Sequence, residues 1–211
     1  SENAKFHCPG KMARSPILPT SVHKLRPADV KVVAAMGDSL AAEIAALRKN
    51  YRGLSFSIGG RASVEKYITL PDILKRFNPE IIGFVTSPDS DDAQPNTAVP
   101  GAFYEDLVEQ ARKLVQLMKA SKEIDYSHDW KVVTLLVSAH DLCEDCQNKE
   151  NRSPDNYVTS IRAALDILKA EVPRTFVNLV PVMSMHLFHR DLADNRTECE
   201  RIGFKYSSRS L

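Results

Sequence analysis

The sequence has 211 residues, 43% of them hydrophobic, which suits one α/β-sized domain able to bury a core. Its 28 basic and 27 acidic side chains leave a net charge of +1, so charge gives no reason to expect nucleic acid or an anionic membrane surface as a partner. No stretch reaches the run of about 18 apolar residues that a membrane-spanning helix requires.

In chain order, the first segment, residues 1–28, carries Pro9, Pro16, Pro19 and Pro27 and reads as an extended arm lying on the domain formed by residues 29–211. Its opening, Ser1-Glu2-Asn3-Ala4, is polar, so any signal sequence is expected to have been removed already or never to have existed. Lys31–Met36 is a short β-branched run ending at Gly37, the first expected strand. Ser39–Lys49 is rich in Ala and Leu and predicts a helix. Leu54–Ile58, closed by Gly59-Gly60, predicts a second strand, Leu70–Phe77 a short helix, and Ile81–Thr86 a third strand. The polar stretch 87–100 has three prolines and reads as a loop. Phe103–Ala120 places Phe103, Leu107, Ala111, Leu114, Val115 and Met118 on one helical face. Lys131–Val137 is the fourth expected strand. A helix from Pro154 to about Ala170 follows, with Ser153 as cap, Pro154 at its first position, and Tyr157, Ile161, Ala164, Leu165 and Leu168 facing inward. Thr175–Val182 is the fifth strand.

Continuous apolar strands alternating with helices predict an α/β three-layer sandwich around a central parallel sheet. Chemistry in such sheets gathers at the carboxyl ends of the strands, here residues 37–39, 59–60 and 138–141.

Cys8, Cys143, Cys146 and Cys199 are enough for two disulfides in an oxidising compartment. The acidic Glu144-Asp145 between Cys143 and Cys146 would raise a thiol pKa, which favours a structural bridge or free thiols over a redox pair. With the glycosylation triplets Asn151-Arg152-Ser153 and Asn195-Arg196-Thr197, the cysteines tilt the reading toward a secreted or lumenal protein. The cluster Asp89–Asp92 reads as a solvated loop rather than a calcium site. Trp130 and Phe188 read as packing residues. Neither a metal nor a cofactor is expected.

Gly37-Asp38-Ser39-Leu40 follows the first strand and opens the first helix. A serine there sits where backbone N–H groups favour developing negative charge. Four letters recur by chance, but longer stretches accompany them: residues 33–40, Tyr51–Gly60, Thr69–Leu74, Asn96–Ala102, Asp129–Leu135 and Ala163–Leu168. In that order, over most of the chain, they resemble the GDSL or SGNH hydrolases, and within them the phospholipase B family.

The resemblance implies an SGNH-hydrolase (flavodoxin-like) fold, incomplete at its C-terminus. It also implies hydrolysis of acyl esters of phospholipids and lysophospholipids through an acyl-Ser39 intermediate. Ser39 matches the nucleophile, and its N–H one oxyanion donor; Gly60 matches the second donor; Gly37, Asp38 and Asp141 are supporting residues. The family's third donor is an Asn side chain in a Gly-Gly-Asn-Asp stretch. The sequence here reads Ser138-Ala139-His140-Asp141, with His140 in place of that Asn.

The family's catalytic Asp and His lie in a D-x-x-H motif near the C-terminus, and the sequence reaches Leu211 without one in that region. Asp125-Tyr126-Ser127-His128 has the spelling but falls before the fourth strand, at the wrong end of the sheet. His186 and His189 follow the fifth strand and read as surface or capping histidines. His140 would serve as base only with Asp141 or another group orienting its ring.

The expectation is therefore an esterase domain impaired or inactive in this form. The alternative is a non-catalytic secreted or membrane-tethered binding domain of the same descent. An uncovered sheet would also leave a protein-partner surface near Phe176–Val182.

Overall fold

A computed structural model describes residues 13–42, 52–86, 95–137 and 154–181. All four cysteines, both glycosylation triplets, Asp89–Asp92, His140, Asp141, His186, Phe188 and His189 lie outside the described residues.

Three strands form a parallel sheet: β1 (Val30–Gly37), β2 (Trp130–Leu136) and β3 (Thr175–Leu179), in the order β1-β2-β3. The register pairs Val33 with Val132 and Gly37 with Leu136 on one side of β2, and Val133 with Val177 on the other. Both faces of β1 are apolar, as a strand covered on both sides requires. Val32, Ala34 and Met36 join one buried cluster, while Val33 and Ala35 join another. A register shift between Val30 and Val32 turns Val30 to the second face.

The first face is covered by α3 (Leu107–Ala120) and α4 (Pro154–Glu171). The helical face expected on α3 is buried from Leu107 to Met118, with one polar addition, Gln110. On α4, Ala164 and Leu168 are buried, and Tyr157, Ile161 and Leu165 pack against them. Opposite lie α1 (Ser39–Ala42) and α2 (Leu70–Lys75); Leu74 packs with Val33, Ala35 and Ile58. Thr69 caps α2 by accepting from Asp72 N–H, with Pro71 in the first turn. Helices on both faces of a parallel sheet make the expected α/β layering.

Two expected strands take other forms. At residues 54–58, Arg52–Leu54 is a short 3-10 turn, and Gly59 alone bridges Val85. At residues 81–86 there are only single bridges, from Ile82 to Val32 and from Val85 to Gly59. Gly83 breaks the run: its φ is +91°, and a Cβ would be driven into the Val33 carbonyl oxygen. The expected loop differs in the reverse sense. Beyond Gly83 the edge of β1 is taken over by residues 95–99, through Ala35 N–H to Pro95 O (3.2 Å), Thr97 N–H to Ala35 O (2.9 Å) and Val99 N–H to Gly37 O (3.0 Å). Two pieces of chain thus share one strand edge.

The segment before β1 is tied to the amino ends of the strands. The Trp130 indole donates to Pro19 O at 2.8 Å, and Asp29 accepts from the Ser15 N–H and hydroxyl, both at 2.7 Å. Phe176 and Leu179 of β3 are 44% and 45% exposed, at the strand where the sequence expects a partner surface.

Lys131 is buried in β2 with no carboxylate in ion-pair reach among the described residues. Its ammonium donates instead to the carbonyls of Tyr126 (2.6 Å), Asp129 (2.8 Å) and Pro173 (3.1 Å). Burial pushes its pKa from the ordinary 10.5 down to about 8, against the pull of the Asp129 and Asp125 carboxylates. Below pH 8 both folded and unfolded chains hold this proton, whereas between about 8 and 10.5 only the unfolded chain does. Through this group stability therefore rises with pH across that window, by up to about 3 kcal/mol. Urea unfolding at pH 7.5 and pH 10 should show the rise in the native chain and a smaller one in Lys131→Met. Equal pH dependence in both proteins would refute the assignment.

Candidate active site

The candidate nucleophile sits where β1 ends. Gly37 is the last residue of β1, with φ +131°, and a Cβ there would be driven into the Leu136 carbonyl oxygen. The next residue returns to the sheet, Asp38 N–H donating to Leu136 O at 3.0 Å. Asp38 is fully buried, and its Oδ1 accepts from Leu40 N–H at 2.8 Å. Its own carbonyl takes the N–H groups of Ala41 (3.1 Å) and Ala42 (2.9 Å), which starts α1. Asp38 thus supplies the capping acceptors, and Ser39, half-buried, is left as the first helical residue. Among the described residues nothing accepts from the Ser39 N–H.

Further along α1, Ala41 O accepts from both the Ser55 hydroxyl (2.8 Å) and the Ser57 hydroxyl (2.6 Å). Those serines lie in the stretch expected to be the second strand; as a turned segment they fasten α1 to the 52–60 region instead.

Gly60 lies beside this region, and both its backbone groups are engaged. Its N–H donates to Val85 O at 2.8 Å, and its carbonyl accepts from Lys75 Nζ at 2.7 Å. Lys75 also pairs with Asp72 at 3.1 Å and stands 3.7 Å from the Phe84 ring centroid. A Cβ at position 60 would strike Phe84, so glycine is required there for space. An oxyanion bond from this N–H would have to share or replace the one to Val85.

Gln110 is a site residue that the sequence reading passed over. Its carboxamide faces the Gly37 peptide groups, Oε1 accepting from Gly37 N–H at 2.7 Å and Nε2 donating to Gly37 O at 3.0 Å. One side chain thereby fixes both polar groups of the residue two before Ser39. The available signal was a polar residue on an otherwise apolar face, between Leu107 and Ala111. Gln110→Leu would leave a buried N–H unpaired and is expected to lower unfolding free energy by about 1–3 kcal/mol. Chemical denaturation measures it, and a change within ±0.5 kcal/mol would show that the clamp adds nothing.

Asp125 and His128 do form a pair, His128 Nδ1 lying 3.1 Å from the carboxylate, with both residues exposed. Hydrogen bonding to His128 holds Asp125 below its ordinary pKa. The pair precedes Trp130, which pairs with Val30 at the amino end of β1, whereas Ser39 follows the carboxyl end. At about 3.3 Å per residue, the length of β1 keeps this histidine away from the serine. His23, the other described histidine, is exposed in the segment before β1.

A cleft of about 370 Å³ adjoins the Gly37 turn, between residues 96–102 and the first half of α3. Arg52, Asp106, Glu109 and Lys113 line it, as does Gln110. Among the described residues no group of three or more metal-binding side chains occurs, and no helix is long and apolar enough to cross a membrane.

Residues 33–202 match the family model for GDSL-like lipases and acylhydrolases. The chain is 42% identical over 212 residues to "Phospholipase B1, membrane-associated" of Mus musculus, covering 95% of the chain and 14% of that protein. The Rattus norvegicus protein of the same name is 42% identical over 213 residues, covering 95% and 15%. That of Homo sapiens is 49% identical over 175 residues, covering 80% and 12%. The chain spans about one seventh of the length of these curated relatives. No solved structure matches it.

Proposed function

The chain belongs to the GDSL-like lipase/acylhydrolase family, and from that premise we propose that it is a phospholipase B-like lipid esterase domain acting through Ser39. The observation that carries this reading is the placement of Ser39 at the carboxyl end of β1, on a turn held by Leu136 and Gln110. Its N–H has no acceptor among the described residues. The substrates are acyl esters of phospholipids and lysophospholipids, a class supported by the similarity to phospholipase B1 proteins.

The Ser39 hydroxyl attacks the ester carbonyl carbon and gives its proton to a base. The carbonyl oxygen becomes an oxyanion facing the Ser39 N–H, and by the family resemblance Gly60 and His140 match the further donors. The alcohol leaves with the proton, and water then hydrolyses the acyl-Ser39 ester. Neither His23 nor His128 is placed to serve as base, so that group comes from outside the described residues. A secreted or lumenal, membrane-associated setting follows the same reading, supported by the relatives' printed name and the glycosylation triplets.

A specific observation favours a second reading, a non-catalytic binding domain: His140 stands where the family's Asn side chain would donate. A fluorophosphonate probe separates the two readings. An adduct mapped to Ser39 by mass spectrometry supports the esterase. No adduct, under conditions where a full-length relative is labelled, rejects the esterase in favour of the binding domain.

A further inference from the structure

The cleft beside the Gly37 turn carries charge of both signs and has a floor linked to the nucleophile. Arg52 lines it, as do Asp106, Glu109 and Lys113 of the α3 region. Glu109 and Lys113 are four residues apart on α3, a spacing that allows an ion pair, yet they form none. Arg52 has no ion pair with a described residue either.

Two lining residues carry a polar atom sealed from solvent and without a hydrogen-bond partner among the described residues, Asn96 Nδ2 and Thr97 Oγ1, so the charged side chains are what the cleft offers a ligand. Thr97 is only 4% exposed. The Asn96 amide orientation is fixed because its Oδ1 already accepts from Ala98 N–H at 3.1 Å. Gln110 belongs to the same cleft and clamps Gly37, two residues before Ser39.

We propose that this cleft is the head-group subsite, taking the zwitterionic head group of a phospholipid or lysophospholipid whose acyl ester lies at Ser39. The phosphate oxygens meet the Arg52 guanidinium, which pairs with phosphate in a fork. The cationic end lies toward the Asp106 and Glu109 carboxylates. A ligand carrying only one charge leaves half of this lining unmatched, so the arrangement selects for both charges on one molecule. The identity of the occupant rests on the esterase reading; the cleft's affinity for it does not.

Titration calorimetry on the full chain tests the subsite with a soluble probe, glycerophosphocholine, against inorganic phosphate and choline chloride. Glycerophosphocholine is expected to bind saturably, and phosphate or choline alone at least about tenfold more weakly. Arg52→Ala and Glu109→Gln are each expected to weaken the probe about tenfold. Absence of saturable binding, equal affinity for inorganic phosphate, or native affinity in both charge variants would overturn the proposal. Fluorophosphonate labelling of the same samples reports separately on the esterase. A native urea midpoint in Arg52→Ala shows that its loss of binding is not a loss of fold. Glycerophosphocholine binding without labelling upholds the subsite and rejects the esterase.

Discussion

Ser39→Ala is expected to abolish fluorophosphonate labelling and to cut turnover of a lysophospholipid by on the order of 10⁴-fold or more. The size follows from the chemistry. Without the hydroxyl no acyl-enzyme forms, and only positioning and oxyanion donors are left to act on water. The same substitution is expected to change unfolding free energy by less than about 0.5 kcal/mol. Capping of α1 falls to Asp38, whose carboxylate takes the Leu40 N–H and whose carbonyl takes those of Ala41 and Ala42. The two results together discriminate between roles. A serine that merely started the helix would lose stability and leave labelling at another residue. Loss of labelling at native stability identifies the nucleophile, and persistent labelling of the alanine variant would remove Ser39 from the mechanism.

Gly37→Ala has the largest expected effect on the fold, a loss of more than about 4 kcal/mol, enough to unfold a marginal domain. Two costs combine. A φ of +131° is outside the region that side-chain-bearing residues adopt, and the added Cβ would be driven into the Leu136 carbonyl oxygen. Relief requires β1 and β2 to separate at Gly37–Leu136, which breaks the Asp38 N–H bond to Leu136 O and displaces Ser39 with it. Gly101 is the control. Its φ of +82° is also positive, but a Cβ there meets nothing within 4 Å, so Gly101→Ala should cost only about 1 kcal/mol. Urea midpoints and Ser39 labelling, measured on both variants, check the contrast. Similar losses at the two positions would mean that the Leu136 contact is unimportant.

Part of this site was legible in the chain itself. A glycine between an apolar run and an Ala-Leu helix signalled the turn at Gly37, and Ser39 followed from it. The apolar faces of α3 and α4 were legible for the same reason, because a period of 3.6 residues is a property of neighbouring positions. Gln110 was not legible. Its partners, the Gly37 N–H and carbonyl, are 73 residues away, and no local pattern announces a side chain that acts as a peptide group. The stretches 54–58 and 81–86 have strand-like composition, yet Gly83 and the turn at Arg52–Leu54 reduce them to isolated bridges.

Which side chains can enter a core, where the chain must turn, and that a serine follows the first strand are readable from the residues in order. Composition and spacing suffice for these because burial and backbone strain act residue by residue. What occupies the second edge of β1, which carbonyls hold Lys131, and which charges line one cleft emerge only once the chain has folded. Those outcomes depend on hydrogen-bonding capacity left over after distant segments have packed, and that remainder is written in no single stretch of the chain.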